Sequence, residues 1–302
     1  MVFSSFVFLF AFLPLSLLCY FASPDRMKNA ILLMFSLFFY AWGEPLWIVI
    51  LLFNVFAGWI GGRLIERYRG LPAARTALVL SVACQVLLLF HFKYLGFALQ
   101  SFSSLTGIPI AYIDPGLPIG ISFFTFHLIS YLADVYRAEA PALRSYSKLL
   151  LYISMFPQLV AGPIIRYADV QERLHARTVT LSGFSYGIGR FAVGLGKKVI
   201  FANALGEISP LFLDGDLRGL SVLGAWFGML LFALHIYFDF SGYSDMAIGL
   251  GRMFGFTFKE NFEYPYISSS ATEFWRRWNI SVGRFFRDYV YIPLGETAGG
   301  RG

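Results

Sequence analysis

Charge is scarce in this chain. Asp, Glu, Lys and Arg make up 14% of its 302 residues, where a soluble domain carries about 25%. Cysteine is scarcer, with only Cys19 and Cys84. Two thiols exclude a disulfide-built secreted scaffold. Each lies in an apolar run, where a small buried thiol is the ordinary role and a catalytic thiol the rarer one. The shortage of charge also excludes a disordered chain and a coiled coil. What is present instead is apolar: 57% hydrophobic residues, 19% aromatics with 34 Phe, and a mean hydropathy of +0.64. That composition describes an integral membrane protein. The net charge of +6 and pI near 9.3 fit Lys and Arg in cytoplasmic loops, and no nucleic-acid partner is expected.

A helix needs about 20 predominantly apolar residues to cross a bilayer. Such runs cover 1–24, 29–43, 45–62, 76–92, 94–113, 115–133, 149–165, roughly 178–204, which Arg190, Lys197 and Lys198 interrupt, and 219–238. Not all need span. The first lacks a basic leader and a small-x-small cleavage site, so it reads as a retained helix. The runs are long and uninterrupted, which suits helices and not alternating barrel strands. The fold class expected is therefore an all-α integral membrane protein: a polytopic helical bundle with re-entrant segments and a cytoplasmic-face amphipathic helix. It reads as a single membrane domain, with spans over 1–260 and an interfacial segment over 261–302.

Basic loops report sidedness. Arg26 and Lys28, then Arg63, Arg67, Arg69 and Arg75, then Arg137, Arg144 and Lys148 all face the cytoplasm if the intervening runs cross. Arg166, Arg173 and Arg177 follow 149–165 and ask for the same side. That run is short and holds Pro157, Gly162 and Pro163. A re-entrant segment resolves the conflict, and such backbone is tolerated only beside protein or a water-filled cavity.

Ionisable residues at membrane depth are functional candidates. His91 lies beside Lys93 at a span end and reads as interfacial. His127, seven residues before Asp134, reads as a structural hydrogen-bonding group. The densest site is LHIYFDFSGYSDMAIGLGRMFGF, residues 234–256. His235 and Asp239 are four apart and Tyr243 four further on, so one helix face carries all three. Asp245 is nearby. The face reads either as the polar wall of a substrate tunnel or as a hydrogen-bond network that holds the bundle together. One His and two Asp without further clustered ligands do not make a metal site, and none is expected.

The last segment changes character. On a helix from Glu273 to Asp288, Phe274, Trp278, Val282 and Phe285 share a face, with Arg276, Arg277, Arg284 and Arg287 opposite. That pattern is an interfacial helix with Trp anchors, its Arg row free to meet lipid phosphate. Asn279 falls at the edge of the apolar face, where an amide serves as an orienting donor or a packing contact.

FFYAWGEP (38–45), LPIGISFFTFHLISYLADVYR (117–137), FPQLVAGPI (156–164), IYFDFSGYSDMAIGLGRMFGF (236–256) and NFEYPYISSSATEFWRRWNISVGRFFRDYVYIPLG (261–295) closely resemble the membrane-bound O-acyltransferase family, within it the bacterial branch that acetylates polysaccharides such as alginate. The resemblance implies a tunnel across a bacterial inner membrane and an acyl donor on the cytoplasmic side, acetyl-CoA or another acyl thioester. It implies no bound cofactor. The partners implied are periplasmic or membrane acetyl-acceptor proteins, the exported polysaccharide and membrane lipids. It assigns Asn279 a supporting catalytic place, and the tunnel candidates are His235, Asp239, Tyr243 and Asp245, with Trp275 from the following segment. Three departures stand out. The polysaccharide branch usually has His at the Asn279 position. The usual Gln before IYFDFSGYSDM is His235. The family's catalytic histidine, in a Trp-His-Gly context, is expected beyond Gly302, and after Gly295 the chain reads Glu296, Thr297 and Ala298 in place of the family's Gly-Asn-Arg. The ending resembles a truncated reading frame, inactive by itself. D-alanyl transfer to teichoic acid, an acyl-group transporter and a non-catalytic membrane subunit are the alternatives.

Overall fold

Helices carry the apolar runs throughout the computed structural model, which describes residues 1–112, 114–159, 162–214 and 219–295. A π-turn (Phe8–Phe12) leads into α1 (Leu13–Ala22). Next come α2 (Asp25–Gly43), α3 (Ile48–Arg67), α4 (Pro72–Lys93), α5 (Leu95–Thr106), α6 (Ile121–Tyr136), α7 (Tyr146–Ser154), α8 (Phe156–Leu159) and α9 (Tyr167–His175). The second half holds α10 (Leu181–Gly196), a π-turn (Lys197–Ala202), α11 (Asn203–Ile208), α12 (Pro210–Leu213) and α13 (Val222–Met253). After it come α14 (Ala271–Arg277), α15 (Ile280–Phe286), a third π-turn (Arg287–Tyr291) and α16 (Ile292–Leu294). No strand occurs among the described residues.

Local chemistry sets the ends of these helices. Pro72 opens α4, where its missing N–H costs nothing. Gly107, at φ +72°, closes α5 in the left-handed conformation. The side chains of Thr180, Ser221 and Ser270 accept hydrogen bonds from Gly183, Gly224 and Glu273 at the starts of α10, α13 and α14, each satisfying one orphan N–H.

Three helices, α3, α4 and α13, are long and apolar enough to cross a membrane. The chain is thus a multi-pass membrane protein. Helix α13 continues unbroken through the glycine-rich motif for 32 residues, about 48 Å at 1.5 Å per residue. The run 219–238 is only its first half. The run 94–113 is not one span: α5 stops after 12 residues, and Ile113 lies outside the described residues.

The helices pack as two units. One comprises 1–18, 161–163 and 176–284; the other comprises 19–160, 164–175 and 285–302. In the second unit α7 is the enclosed element, packed by α2, α3, α6 and α9, with every residue from Leu149 to Ser154 buried. At nine residues it reaches about 14 Å, under half of a hydrocarbon core. Met155 then breaks it into α8. Neither α7 nor α8 is long enough to cross a membrane, and Val160 and Ala161 of the run 149–165 lie outside the described residues.

In the first unit α10 and α13 run antiparallel at very close range. A Cβ built on Gly194 meets the Gly242 carbonyl oxygen at 2.5 Å, and one on Gly187 meets that of Gly249 at 2.7 Å. The two pairs repeat every seven residues on both helices, so two turns of backbone touch backbone.

Candidate functional site

Close docking of α10 on α13 brings cations to the two acids of the wall. Arg190 reaches Asp245 Oδ1 with Nε at 3.0 Å and Nη2 at 2.6 Å. Its Nη2 also reaches Glu260 Oε2 at 2.5 Å. Lys197 Nζ holds Asp245 Oδ2 at 2.7 Å, and Lys198 Nζ holds Asp239 Oδ1 at 2.5 Å. Three cations and three carboxylates therefore balance within one polar seam. Asp245 is its buried centre, with a side chain 7% exposed, whereas that of Asp239 is 42% exposed.

The π-turn at Lys197–Ala202 is part of this arrangement. Adjacent residues on an α-helix diverge by about 100°, yet Lys197 and Lys198 both reach α13. Gly242 leaves room for them: a Cβ there would meet the Lys197 Cβ at 3.0 Å. Single π-turns inside helices often mark functional sites.

His235 and Asp239 share a face as expected but make no hydrogen bond to each other. The Nδ1 of His235 lies 2.8 Å from the Ala202 carbonyl oxygen. A carbonyl only accepts, so this nitrogen is the donor. The ring rests on Gly206, where a Cβ would come within 2.7 Å of it. Tyr243 stacks on the buried ring of Phe3, with centroids 4.7 Å apart. Among the described residues no three His, Cys, Asp or Glu side chains gather to hold a metal ion.

The Glu273–Asp288 segment is not one helix. Asn279 takes φ +44° and ends the run between α14 and α15. Asn tolerates the left-handed conformation better than most residues, so the break has a sequence cause. Its carbonyl accepts from Val282 and Gly283 at the start of α15. Buried Asn261 clasps the same turn: its backbone oxygen accepts from Ile280 N and its Oδ1 from Ser281 N, both at 3.0 Å. The projected apolar face is split accordingly. Phe274 and Trp278 stack at 5.5 Å and join Tyr237, Phe262 and Tyr266, while Phe285 lies in the second unit on Phe126.

Trp275 does not join the polar seam. It is 65% exposed, and its ring contact is with Phe274. Trp278 takes the inner place. His127 is sealed in the second unit, its Nε2 accepting from Ile165 N at 3.1 Å, which is the structural role expected of it. His175 Nδ1 lies 3.0 Å from Lys148 Nζ, and His91 packs edge-on against Phe92.

In the sequence Arg190, Lys197 and Lys198 stand only as interruptions of the apolar run 178–204. Their signal was the seven-residue spacing of Arg190 and Lys197, two turns on one face, with acids available on a second apolar run.

Comparison with known proteins agrees with this architecture. The sequence model of the membrane-bound O-acyltransferase family matches residues 9–302. A probable alginate O-acetylase of Azotobacter vinelandii is 44% identical over 99% of this chain and 60% of its own length. A peptidoglycan O-acetyltransferase of Helicobacter pylori is 32% identical over 98% of this chain and 62% of its own. A teichoic acid D-alanyltransferase of Bacillus subtilis is 28% identical over 58% of this chain and 45% of its own. The chain thus spans about 60% of the length of the first two relatives. With the family's sequence pattern covering all but the first eight residues, the chain belongs to the membrane-bound O-acyltransferase family.

Proposed function

We propose that the protein is an O-acetyltransferase of the bacterial inner membrane that acetylates an exported polysaccharide, with alginate the first candidate. The observation that carries this is the 44% identity over nearly the whole chain to a probable alginate O-acetylase. The donor is acetyl-CoA or another acyl thioester on the cytoplasmic side. The acceptor is a hydroxyl of the polymer or of a periplasmic or membrane carrier protein. In the reaction a hydroxyl oxygen attacks the thioester carbonyl, a base takes the hydroxyl proton, the C–S bond breaks and the thiolate is protonated.

Within this scheme the seam of Arg190, Lys197, Lys198, Asp239 and Asp245 is a wall and not the reacting centre, because each carboxylate is already met by a cation. Asn279 makes no side-chain hydrogen bond among the described residues, which leaves its amide available to orient an oxygen. The base is a histidine other than His91, His127, His175 and His235. Of these four, His235 is the competitor, since it shares the α13 face of Asp239 and Tyr243.

The test is a strain that has lost its polysaccharide acetylation subunit, complemented with the complete reading frame that contains this chain. Acetyl ester should return to the exported polymer, should fall sharply with Asn279→Ala, and should survive His235→Gln. D-alanine ester in place of acetate would transfer the protein to the teichoic acid reading.

A further inference from the structure

The second unit holds an arginine cluster of its own. Three guanidinium groups converge on Asp288. Arg166 pairs with its Oδ2, Arg287 Nε stands 3.5 Å from its Oδ1, and Arg137 Nη2 donates to its backbone oxygen at 2.8 Å. Arg137 and Arg166 each lie 5.3 Å from the ring centroid of Tyr289. That ring is itself fixed by its hydroxyl, which donates to Asp134 Oδ1 at 2.6 Å. The result is an open cleft lined by Arg137, Glu139, Arg166 and Asp288, with Ile292 and Pro293 as its apolar side.

In the lining Arg137 and Arg166 face Asp288 and Glu139, with Glu139 4.0 Å from Arg137, and Arg287 stands outside the lining. Asp134 is fully buried behind Tyr289 and does not line the cleft. Stacking on an aromatic face orients a guanidinium plane and leaves its N–H edge for a planar or tetrahedral oxyanion. A carboxylate is already seated on that edge. The half-exposed side chains of Arg137, Arg166 and Asp288, 32%, 29% and 21%, keep the exchange open to an outside anion.

We propose that this cleft is a phosphate-recognition site, with the Asp288 carboxylate holding the arginines in place until a phosphate group displaces it. The ligand class is a phosphate monoester or diester. Arg137 and Arg166 belong to the cytoplasmic clusters, so its source is the headgroup of an anionic phospholipid of the inner leaflet or a soluble cytoplasmic phosphate compound. The inference does not rest on acetyl transfer.

The test uses the purified protein in phosphatidylcholine nanodiscs, titrated calorimetrically with pyrophosphate. A second arm uses nanodiscs containing phosphatidylglycerol without pyrophosphate, with retained lipid counted by native mass spectrometry. One probe or the other is expected to bind. Pyrophosphate binding identifies a soluble ligand, and phosphatidylglycerol retention alone identifies a lipid. Arg166→Gln should weaken that binding about tenfold or more, as for loss of a charge-assisted hydrogen bond. Asp288→Asn should tighten it several-fold, a change that misfolding does not produce. Failure of both probes with the wild type and with Asp288→Asn overturns the proposal. Binding that is indifferent to both Arg166→Gln and Arg137→Gln overturns it equally.

Discussion

Replacing Gly194 by Ala adds one methyl group where two backbones touch. The new carbon would stand 2.5 Å from the Gly242 carbonyl oxygen, 2.7 Å from Met246 N and 2.9 Å from Asp245 Cβ. Ordinary contact begins at 3.4 Å, so α10 and α13 must part by about 0.9 Å at this point, the difference between 3.4 and 2.5. None of the three neighbours can rotate away. Overpacking of this kind costs about 1–3 kcal/mol. Removing a glycine from a helix interior returns about 0.8–1.0 kcal/mol. Parting the helices also lengthens the bonds from Arg190 and Lys197 to Asp245, so the net loss is about 1–2 kcal/mol. Gly189 on the same helix is the internal control, because a Cβ there meets nothing within 4 Å. Gly189→Ala should stabilise by about 0.4–1 kcal/mol. The measurement is thermal denaturation of the detergent-solubilised protein, repeated at several scan rates because membrane proteins often unfold irreversibly. At about 2–4 °C per kcal/mol the two variants should fall on opposite sides of the wild type. If Gly194→Ala is as stable as Gly189→Ala, the close approach of these helices is refuted.

Asp245→Asn should cost about 1–3 kcal/mol, because it strips a buried carboxylate from Lys197 and leaves Arg190 only Glu260, whereas Asp239→Asn at a half-exposed pair should cost about 0–1 kcal/mol; the two denaturation midpoints in detergent compare them directly. At position 279 the backbone and the amide separate cleanly. Asn279→Gly keeps the φ of +44° and should fold normally while losing acetylation, whereas retained acetylation would make the residue purely a backbone device. Glu273 is held below its ordinary value of 4.5 by the Ser269 backbone N–H, then by the Ser269 hydroxyl and Arg277. A depressed carboxyl stabilises fully above its unfolded value and loses that contribution as pH falls through the native one. The protection of amides across 271–277, taken relative to their intrinsic exchange rate, should therefore fall as pH drops below 4.5 and lose that dependence in Glu273→Gln. For topology, single cysteines at exposed Ser147 and Glu172, with Cys19 and Cys84 replaced by Ser, should both label from the cytoplasmic side; labelling from opposite sides sinks the re-entrant reading of 149–165.

The long apolar helices were legible because length and hydropathy alone decide them: α3 and α4 coincide closely with the runs 45–62 and 76–92. The face shared by His235, Asp239 and Tyr243 was legible because its residues sit four apart on a helix that does not break. Partners were not. Lys198 and Asp239 are separated by 41 residues, and Arg190 and Asp245 by 55, and only the docking of α10 on α13 pairs them. The interfacial segment failed for another reason. A projection at 100° per residue assumes helical φ at every position, and Asn279 departs from it. The hint was the residue type, since Asn competes with helix by visiting the left-handed region. Trp275 was not to be told from Trp278 by residue type: it meets Phe274 edge-on and stays exposed, while Trp278 stacks on Phe274 and joins Tyr237 and Phe262. The cleft around Asp288 draws Arg137 and Arg166 from two distant segments, so no local pattern announces it.

The π-turn at Lys197–Ala202 has a consequence for how this chain tolerates insertion and deletion. A π-turn inside an α-helix amounts to one surplus residue, absorbed locally so that the helix on either side keeps its register. Loss of one codon there, Val199 for example, whose side chain is 48% exposed, lets the helix close into α geometry with Leu181–Gly196 and Asn203–Ile208 still in place. The same loss at Gly189 swings everything downstream through about 100° and tears the Gly194–Gly242 pair out of line with the Gly187–Gly249 pair. Two single-residue deletions ten positions apart thus differ in kind: one trims the reach of Lys197 and Lys198 and spares the scaffold, and the other takes the scaffold apart.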